Sequence, residues 1–359
     1  MSTLLTKDSD LYAIHETMLD ASEKGLNRGI PFRSKLLTRS TGGILKGMYY
    51  LVVALSNVGK TRILMDNFIL SQLEYALENH EDCKEGDVMV FLWALEMSIE
   101  RTLAIIGSRW LRLYGKTYGY SDREILGVDG KPSPELLAAL RTPEYKKYLT
   151  NISKNFRFFT AKNVPAISKT IEDYCSKIST KIGEDAEGNP LYKFTNPRQK
   201  VIIAIDHIGN VKAAKGSDTD RNAIMNLSIA LVELKNKYGI TPVVVQQANP
   251  IADNPMASSM LILREAKDTF IDADTVLIFM NPAALNVTDV RYKNSVYHIL
   301  PTPENGMKGL GNMFRIAVTA KSRIGEANDK IPLFFDGAGA ILTDAIEPEK
   351  IDYTKHNKK

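Results

Sequence analysis

Residues 54–61, ALSNVGKT, carry the most specific chemistry in the chain. Gly59, Lys60 and Thr61 complete the phosphate-loop pattern G-x-x-x-x-G-K-[ST], which needs a strand before it and a helix after it. An apolar run over 49–55 precedes it, and Ile69, Leu73 and Leu77 lie at helical spacing beyond it. Backbone N–H groups of Ser56, Asn57, Val58, Gly59, Lys60 and Thr61 would then form an anion nest at a helix N-terminus. In such a loop the Lys60 ammonium sits on the β- and γ-phosphates and the Thr61 hydroxyl on Mg²⁺. Ala54 stands where the first glycine usually falls. That position begins the turn and need not touch phosphate, but its departure makes the pattern less specific. By itself the loop supports nucleotide binding and no more.

Two carboxylates extend the case. Asp206 ends the apolar run VIIAID, where a carboxylate holds Mg²⁺ directly or through water. Alone it would read as a turn cap; with a phosphate loop upstream it reads as a metal ligand. Glu96 follows the apolar run VMVFLWAL, in a strand expected beside the phosphate-loop strand. A Glu there polarises an attacking water, or else sits at a helix N-terminus and interacts with the dipole.

These residues need a scaffold at the ends of strands. Apolar, β-branched or aromatic runs recur at 49–55, 88–95, 156–161, 201–206, 242–247, 275–280, 314–320 and 332–335. Several are apolar on both faces, as covered central strands are. Helical segments separate them; the clearest spans 222–238, with Ile224, Leu227, Leu231 and Leu234 on one face and Gly239 at the stop. The alternation predicts an α/β fold: an open, mainly parallel sheet with helices on both faces. Two segments break it: 180–198 reads as a polar hairpin or loop, and 284–312 as a turn-rich insertion. Residues 10–24 form a short helix with Leu11, Ile14, Met18 and Leu19 on one face, too short to stand alone. Residues 25–43 read as a linker.

Composition narrows the class. A chain of 359 residues with 44% hydrophobic and 25% charged residues can bury a large core. The net charge of +4 neither demands nor excludes nucleic acid. Cys83 and Cys175 lie far apart without metal-ligand spacing, which argues against a disulfide scaffold and for a reducing, cytoplasmic setting. No signal peptide and no apolar run of membrane length is present, so no membrane partner is expected.

Taken in order, LEMS after the second strand, the Asp206-ended strand, VVVQQAN, LREAKDTFIDAD, and AKSRIG before FDG resemble the RecA-like motor domain of DnaB-type replicative DNA helicases. Each motif is weak alone; the ordered set is specific. The resemblance spans roughly residues 29–344, with GIPFRSKLLTRSTGGILKGMYYLVVA resembling the family's entry into the domain. It implies a RecA-like P-loop NTPase with ATP and Mg²⁺ as cofactors. The implied division is an arm and linker helix over 1–28, a motor over 29–345 and a polar tail over 346–359.

The resemblance also assigns roles. Gln247 senses the γ-phosphate and relays its state to DNA loops. Arg323 is an arginine finger and Lys321 its companion, both reaching a neighbouring subunit's nucleotide, which implies a homo-oligomer, a hexameric ring. DNA contact is expected from the loop after Asp206, with Lys212, Lys215 and Arg221, and from Arg264, Glu265 and Lys267 in LREAK. Small residues mixed with Lys suit phosphate tracking. The family has glycine where Lys267 stands, so that contact's geometry departs from the pattern.

The family's helical collar, which recruits primase, has no counterpart in the 28 or so residues before the motor, an economy that suits a phage-type replisome. The function expected is an ATP-driven, ring-forming helicase moving 5′ to 3′ on single-stranded DNA, with primase, a loader or a polymerase as replisome partners. Two alternatives share the core: a RecA-like recombinase, and a DNA-dependent ATPase without unwinding.

Overall fold

In the computed structural model, which describes residues 11–353 except 56, 116–119, 186, 214–218, 249–255, 257–266 and 303–306, nine strands join in one sheet. In chain order the strands are β1 (Tyr50–Leu55), β2 (Val88–Ala94), β3 (Phe156–Phe159), β4 (Ser179–Glu184), β5 (Pro190–Phe194), β6 (Lys200–Asp206) and β7 (Thr241–Ala248). They continue with β8 (Thr275–Met280), β9 (Asp289–Tyr292), β10 (Ser295–His298), β11 (Phe314–Ser322), β12 (Lys330–Asp336) and β13 (Ile341–Asp344). Across the sheet the order is β13-β12-β11-β8-β1-β7-β6-β2-β3. The six strands from β8 to β3 run parallel, and β11, β12 and β13 are added antiparallel. Every residue of β1, β2 and β6 is buried, so the middle of the sheet is covered on both faces.

The strand order corrects one expectation. β2 does not neighbour the phosphate-loop strand: β7 and β6 lie between them. Apolar runs identify strands, but their order follows from how each crossover helix packs, which periodicity does not encode.

A second correction concerns residues 25–43. They form part of the core instead of a free linker. Ile30 and Ile44 pair as an antiparallel bridge and both are buried, as are Phe32 and Leu37. Ser34 caps the helix Lys35–Thr41 and its hydroxyl donates to Asp344 at the edge of the sheet. Gly29 is required here, because a Cβ would stand 2.1 Å from the Gly42 carbonyl oxygen.

The helix Asp220–Tyr238 begins at the Thr219 cap and ends at Gly239, whose φ is 73°. Leu227, Leu231 and Leu234 are buried, as their spacing requires. Segment 180–198 contains the β4–β5 hairpin, and 284–312 contains the β9–β10 hairpin. The start of the polar tail is not free: Ile351 is buried and Tyr297 donates to the Ile346 carbonyl. The helix Leu11–Glu23 exposes Tyr12, Met18 and Leu19, and Ala21 is its buried side chain among those described. Among the described residues no helix is long and apolar enough to cross a membrane.

The segment after β1 runs as helix Lys60–Leu64, a π-helical stretch Met65–Leu70 and helix Ser71–Leu77. An ion cluster locks it in place. Arg109, fully buried on the helix Ile99–Leu113, lies 2.5 Å from Asp66 and 2.8 Å from Glu74. It also donates to the Ala340 carbonyl, while Leu342 N–H donates to Asp66 and the Tyr148 hydroxyl to Glu74. Burial works against ionising Asp66 and Glu74; Arg109 counters it and holds the Glu74 carboxyl below its ordinary range. The phosphate-loop helix is thereby fixed to β13 and to its neighbouring helix.

Candidate nucleotide site at the carboxyl ends of the parallel strands

In an open parallel sheet, ligands bind beyond the carboxyl ends of the strands. The described groups of the site project from that edge. The phosphate loop leaves β1 through Asn57, with φ of 62°, and Gly59, with φ of 96°. A Cβ at Gly59 would meet the Phe335 ring at 2.8 Å, so glycine is needed for space as well as conformation. Val58 is buried, Asn57 is exposed, and Ser56 lies outside the described residues. Ala54 does not begin the turn: it is a buried strand residue paired with Gln247 and Phe279. Glycine's freedom is not used at that point of this chain.

Lys60 and Thr61 start the helix and face opposite partners. Lys60 Nζ donates to Gln247 Oε1 at 3.2 Å. Thr61 Oγ1 donates to Asp206 Oδ2 at 2.6 Å. Register explains both contacts, since β7 lies directly beside β1 and β6 directly beyond it. Gln247 and Asp206 therefore end the two strands that the loop helix overlies.

Asp206 tests the fit of a metal. Its Oδ1 is buried and has no hydrogen-bond partner, and burial pushes its carboxyl up, with the Thr61 hydroxyl partly offsetting this. A buried carboxylate oxygen left open beside a Thr hydroxyl fits Mg²⁺, which takes one or two protein oxygens and completes its shell with phosphate and water. Among the described residues no group of three or more His, Cys, Asp or Glu side chains could hold a metal without such help.

Glu96 reaches the site from the end of β2, which pairs with β6 through Ala94 and Asp206. It is half exposed, and its Oε1 lies 2.8 Å from His207 Nε2. Burial opposes its ionisation, but a hydrogen bond from Asn210 and the nearby His207 and Lys60 hold its carboxyl below the ordinary range. Glu96 is thus a carboxylate kept ionised and aimed by two neighbours. Sequence reasoning missed both His207 and Asn210. The signal was available in DHIGN, a polar cluster directly after the Asp206 strand.

Lys321 and Arg323 are not part of this cluster. β11 runs antiparallel to β8, with Ile316 opposite Met280 and Ser322 opposite Thr275. Lys321 and Arg323 therefore lie at the amino-terminal edge of the parallel strands, roughly 15–20 Å from the phosphate loop at about 3.3 Å per residue. Lys321 Nζ donates to the carbonyls of Phe270 and Ile271 at 3.0 and 2.6 Å. Arg323 pairs with Asp274 at 2.9 Å and remains exposed.

Of the expected DNA-contact residues, Lys215, Arg264 and Glu265 lie outside the described residues. Lys267 opens the helix Lys267–Asp272, and its side chain lies outside the described set. Arg221 is exposed at the start of the long helix. Lys212 pairs with Asp220 at 2.7 Å, which offsets part of the positive charge expected of that loop.

No family model matches the sequence, and no curated protein matches it. Solved structures do match. The isolated ATPase domain of a helicase superposes with a TM-score of 0.64 at 17% identity, covering 95% of this chain and 100% of that one. A DnaB-like replicative helicase, described together with its interactions with primase, superposes with a TM-score of 0.62 at 19% identity, covering 95% of this chain and 68% of that one. The fold is that of a RecA-like P-loop NTPase. Within that class it has the architecture of helicase ATPase domains.

Proposed function

We propose that this chain is an ATP-dependent, ring-forming DNA helicase motor of the DnaB type, acting on single-stranded DNA in replication. The observation that carries the ATPase part is the meeting of Lys60, Thr61, Asp206, Gln247 and Glu96 at one edge of four consecutive strands. The loop binds the polyphosphate through its N–H groups and Lys60. Bound Mg²⁺, held by Thr61 and Asp206, would neutralise charge on the phosphates. Glu96 accepts a proton from the attacking water while His207 and Asn210 keep its carboxylate aimed. Gln247, already in contact with Lys60, is placed to register whether the γ-phosphate is present.

Assembly follows from what this edge lacks. Arg323 and Lys321 sit at the opposite edge and cannot reach their own chain's nucleotide. They suit a neighbouring subunit's nucleotide, where a cation stabilises charge on the transferred phosphoryl group. A ring of six motors, movement from 5′ to 3′ and partners such as primase, a loader or a polymerase are the finer parts of the same proposal. So are the division at residues 28 and 345, a cytoplasmic setting and a phage-type replisome. The likeness to helicase ATPase domains supports them through the fold alone.

The test is ATP turnover with and without single-stranded DNA, together with unwinding of a forked duplex. Strand-stimulated turnover and unwinding, both lost in Lys60→Ala, support the proposal. Turnover without unwinding would favour a DNA-dependent ATPase, and strand exchange in an open filament a recombinase.

A further inference from the structure

Arg315, near the start of β11, is a buried cation, only 4% exposed. Its Nε donates to the Val58 carbonyl at 2.9 Å, and its Nη1 to the carbonyls of Asn312 and Phe314 at 2.9 and 2.8 Å. Its guanidinium lies over the Phe335 ring, 4.7 Å from the centroid. Among the described residues no carboxylate pairs with it. Arg109, the other deeply buried guanidinium, is met by both Asp66 and Glu74. Burying a charge without an opposite charge is costly, so such a group persists where an anion arrives or where function requires it. Burial lowers the Arg315 pKa to about 10, which still leaves it charged at neutral pH.

Its position names the anion. Val58 belongs to the phosphate loop, and the Phe335 ring beneath Arg315 is the one that approaches Gly59. We propose that Arg315 is a positioning residue for the nucleotide's phosphates, holding the loop by the Val58 carbonyl and adding an unbalanced positive charge behind it. The inference rests on the loop binding nucleotide, as proposed above. The ligand class is a di- or triphosphate, and recognition is by charge and loop shape instead of by the base. Arg315 touches the loop and not the ligand, so its effect should reach every polyphosphate alike.

The test compares full-length wild type, Arg315→Gln, Arg315→Lys and Lys60→Ala. Binding of ADP and of inorganic pyrophosphate is measured by calorimetry, and the melting temperature without ligand is recorded. Arg315→Gln should weaken both ligands about tenfold, the scale of one charge-assisted interaction. Its ligand-free melting temperature should not fall, since a buried unpaired charge has gone. Arg315→Lys keeps the charge without the fork and should lie between. Wild-type affinity in Arg315→Gln overturns the proposal, as does Arg315→Lys binding no better than Arg315→Gln. Should Arg315→Gln not fold, Arg315→Lys decides alone: a loss of about threefold supports the proposal, and unchanged affinity overturns it. If wild type binds neither ligand, the nucleotide site itself is wrong, which is a separate result.

Discussion

Arg323 is paired, within its own chain, to Asp274: Nη1 lies 2.9 Å from Oδ1, and the Arg323 N–H donates to the Asp274 carbonyl. Asp274 has a second cation, Lys235, at 2.8 Å, and its carboxylate also accepts from the Tyr49 N–H. If Arg323 left, Asp274 would keep both of those partners. The exposed guanidinium can therefore swing to an external anion without stranding a buried charge.

That relationship sets the first expectation. Arg323→Ala should fold normally, because its pair is largely exposed and such pairs contribute about 0–1 kcal/mol. ATP turnover should drop by about 10³-fold or more, as for loss of an arginine finger, with ATP affinity kept. Mixing Arg323→Ala with Glu96→Gln subunits should restore part of the turnover through mixed interfaces. Turnover that stays at the level of the separate variants would rule out action in trans.

Glu96 and Lys60 should separate chemistry from binding. Glu96→Gln keeps the size of the side chain but removes its basicity, so turnover should drop by about 10²–10⁴-fold with nucleotide still bound. Lys60→Ala removes a direct phosphate contact and should weaken binding as well. Equilibrium nucleotide binding beside steady-state turnover reads both, and equal loss of binding in the two variants would remove Glu96 from the catalytic role.

The Arg109 cluster sets a stability expectation. Arg109→Met leaves Asp66 and Glu74 buried without their cation, which should cost about 3–5 kcal/mol. Denaturant unfolding measures it. A loss below about 1 kcal/mol would show that the two carboxylates find other partners or take up protons freely.

Lys46 gives a dependence on pH. Burial first, then Lys200 and Lys193, lowers its pKa from 10.5 to about 8. Below pH 8 both folded and unfolded chains carry the charge, and the folded chain bears the whole cost of burying it. Between pH 8 and 10.5 the unfolded chain binds more protons, so this group's contribution to stability rises with pH. Lys46→Met should therefore stabilise the protein at about pH 7 by roughly 1–3 kcal/mol, with the gain fading toward about pH 10. Melting temperatures of both proteins across that range provide the check; a gain independent of pH would point to packing instead.

The class of fold and the chemistry at each strand end were legible in residue type and local period. Apolar runs such as YLVVAL and KVIIAID can only be covered central strands, and a GKT after one of them has few other uses. What depends on distant chain segments emerged only in the folded molecule. Folding inserted β7 and β6 between the loop strand and β2, and it brought His207 and Asn210 onto Glu96. It drew residues 25–43 into the core, where Ser34 meets Asp344 across most of the chain length. It also sent Arg323 to the far edge of the sheet, because β11 runs against its neighbour, a direction no local pattern records. Packing of crossovers and pairing of charges are properties of the folded whole, which is why the residues of the site could be read in advance and their company could not.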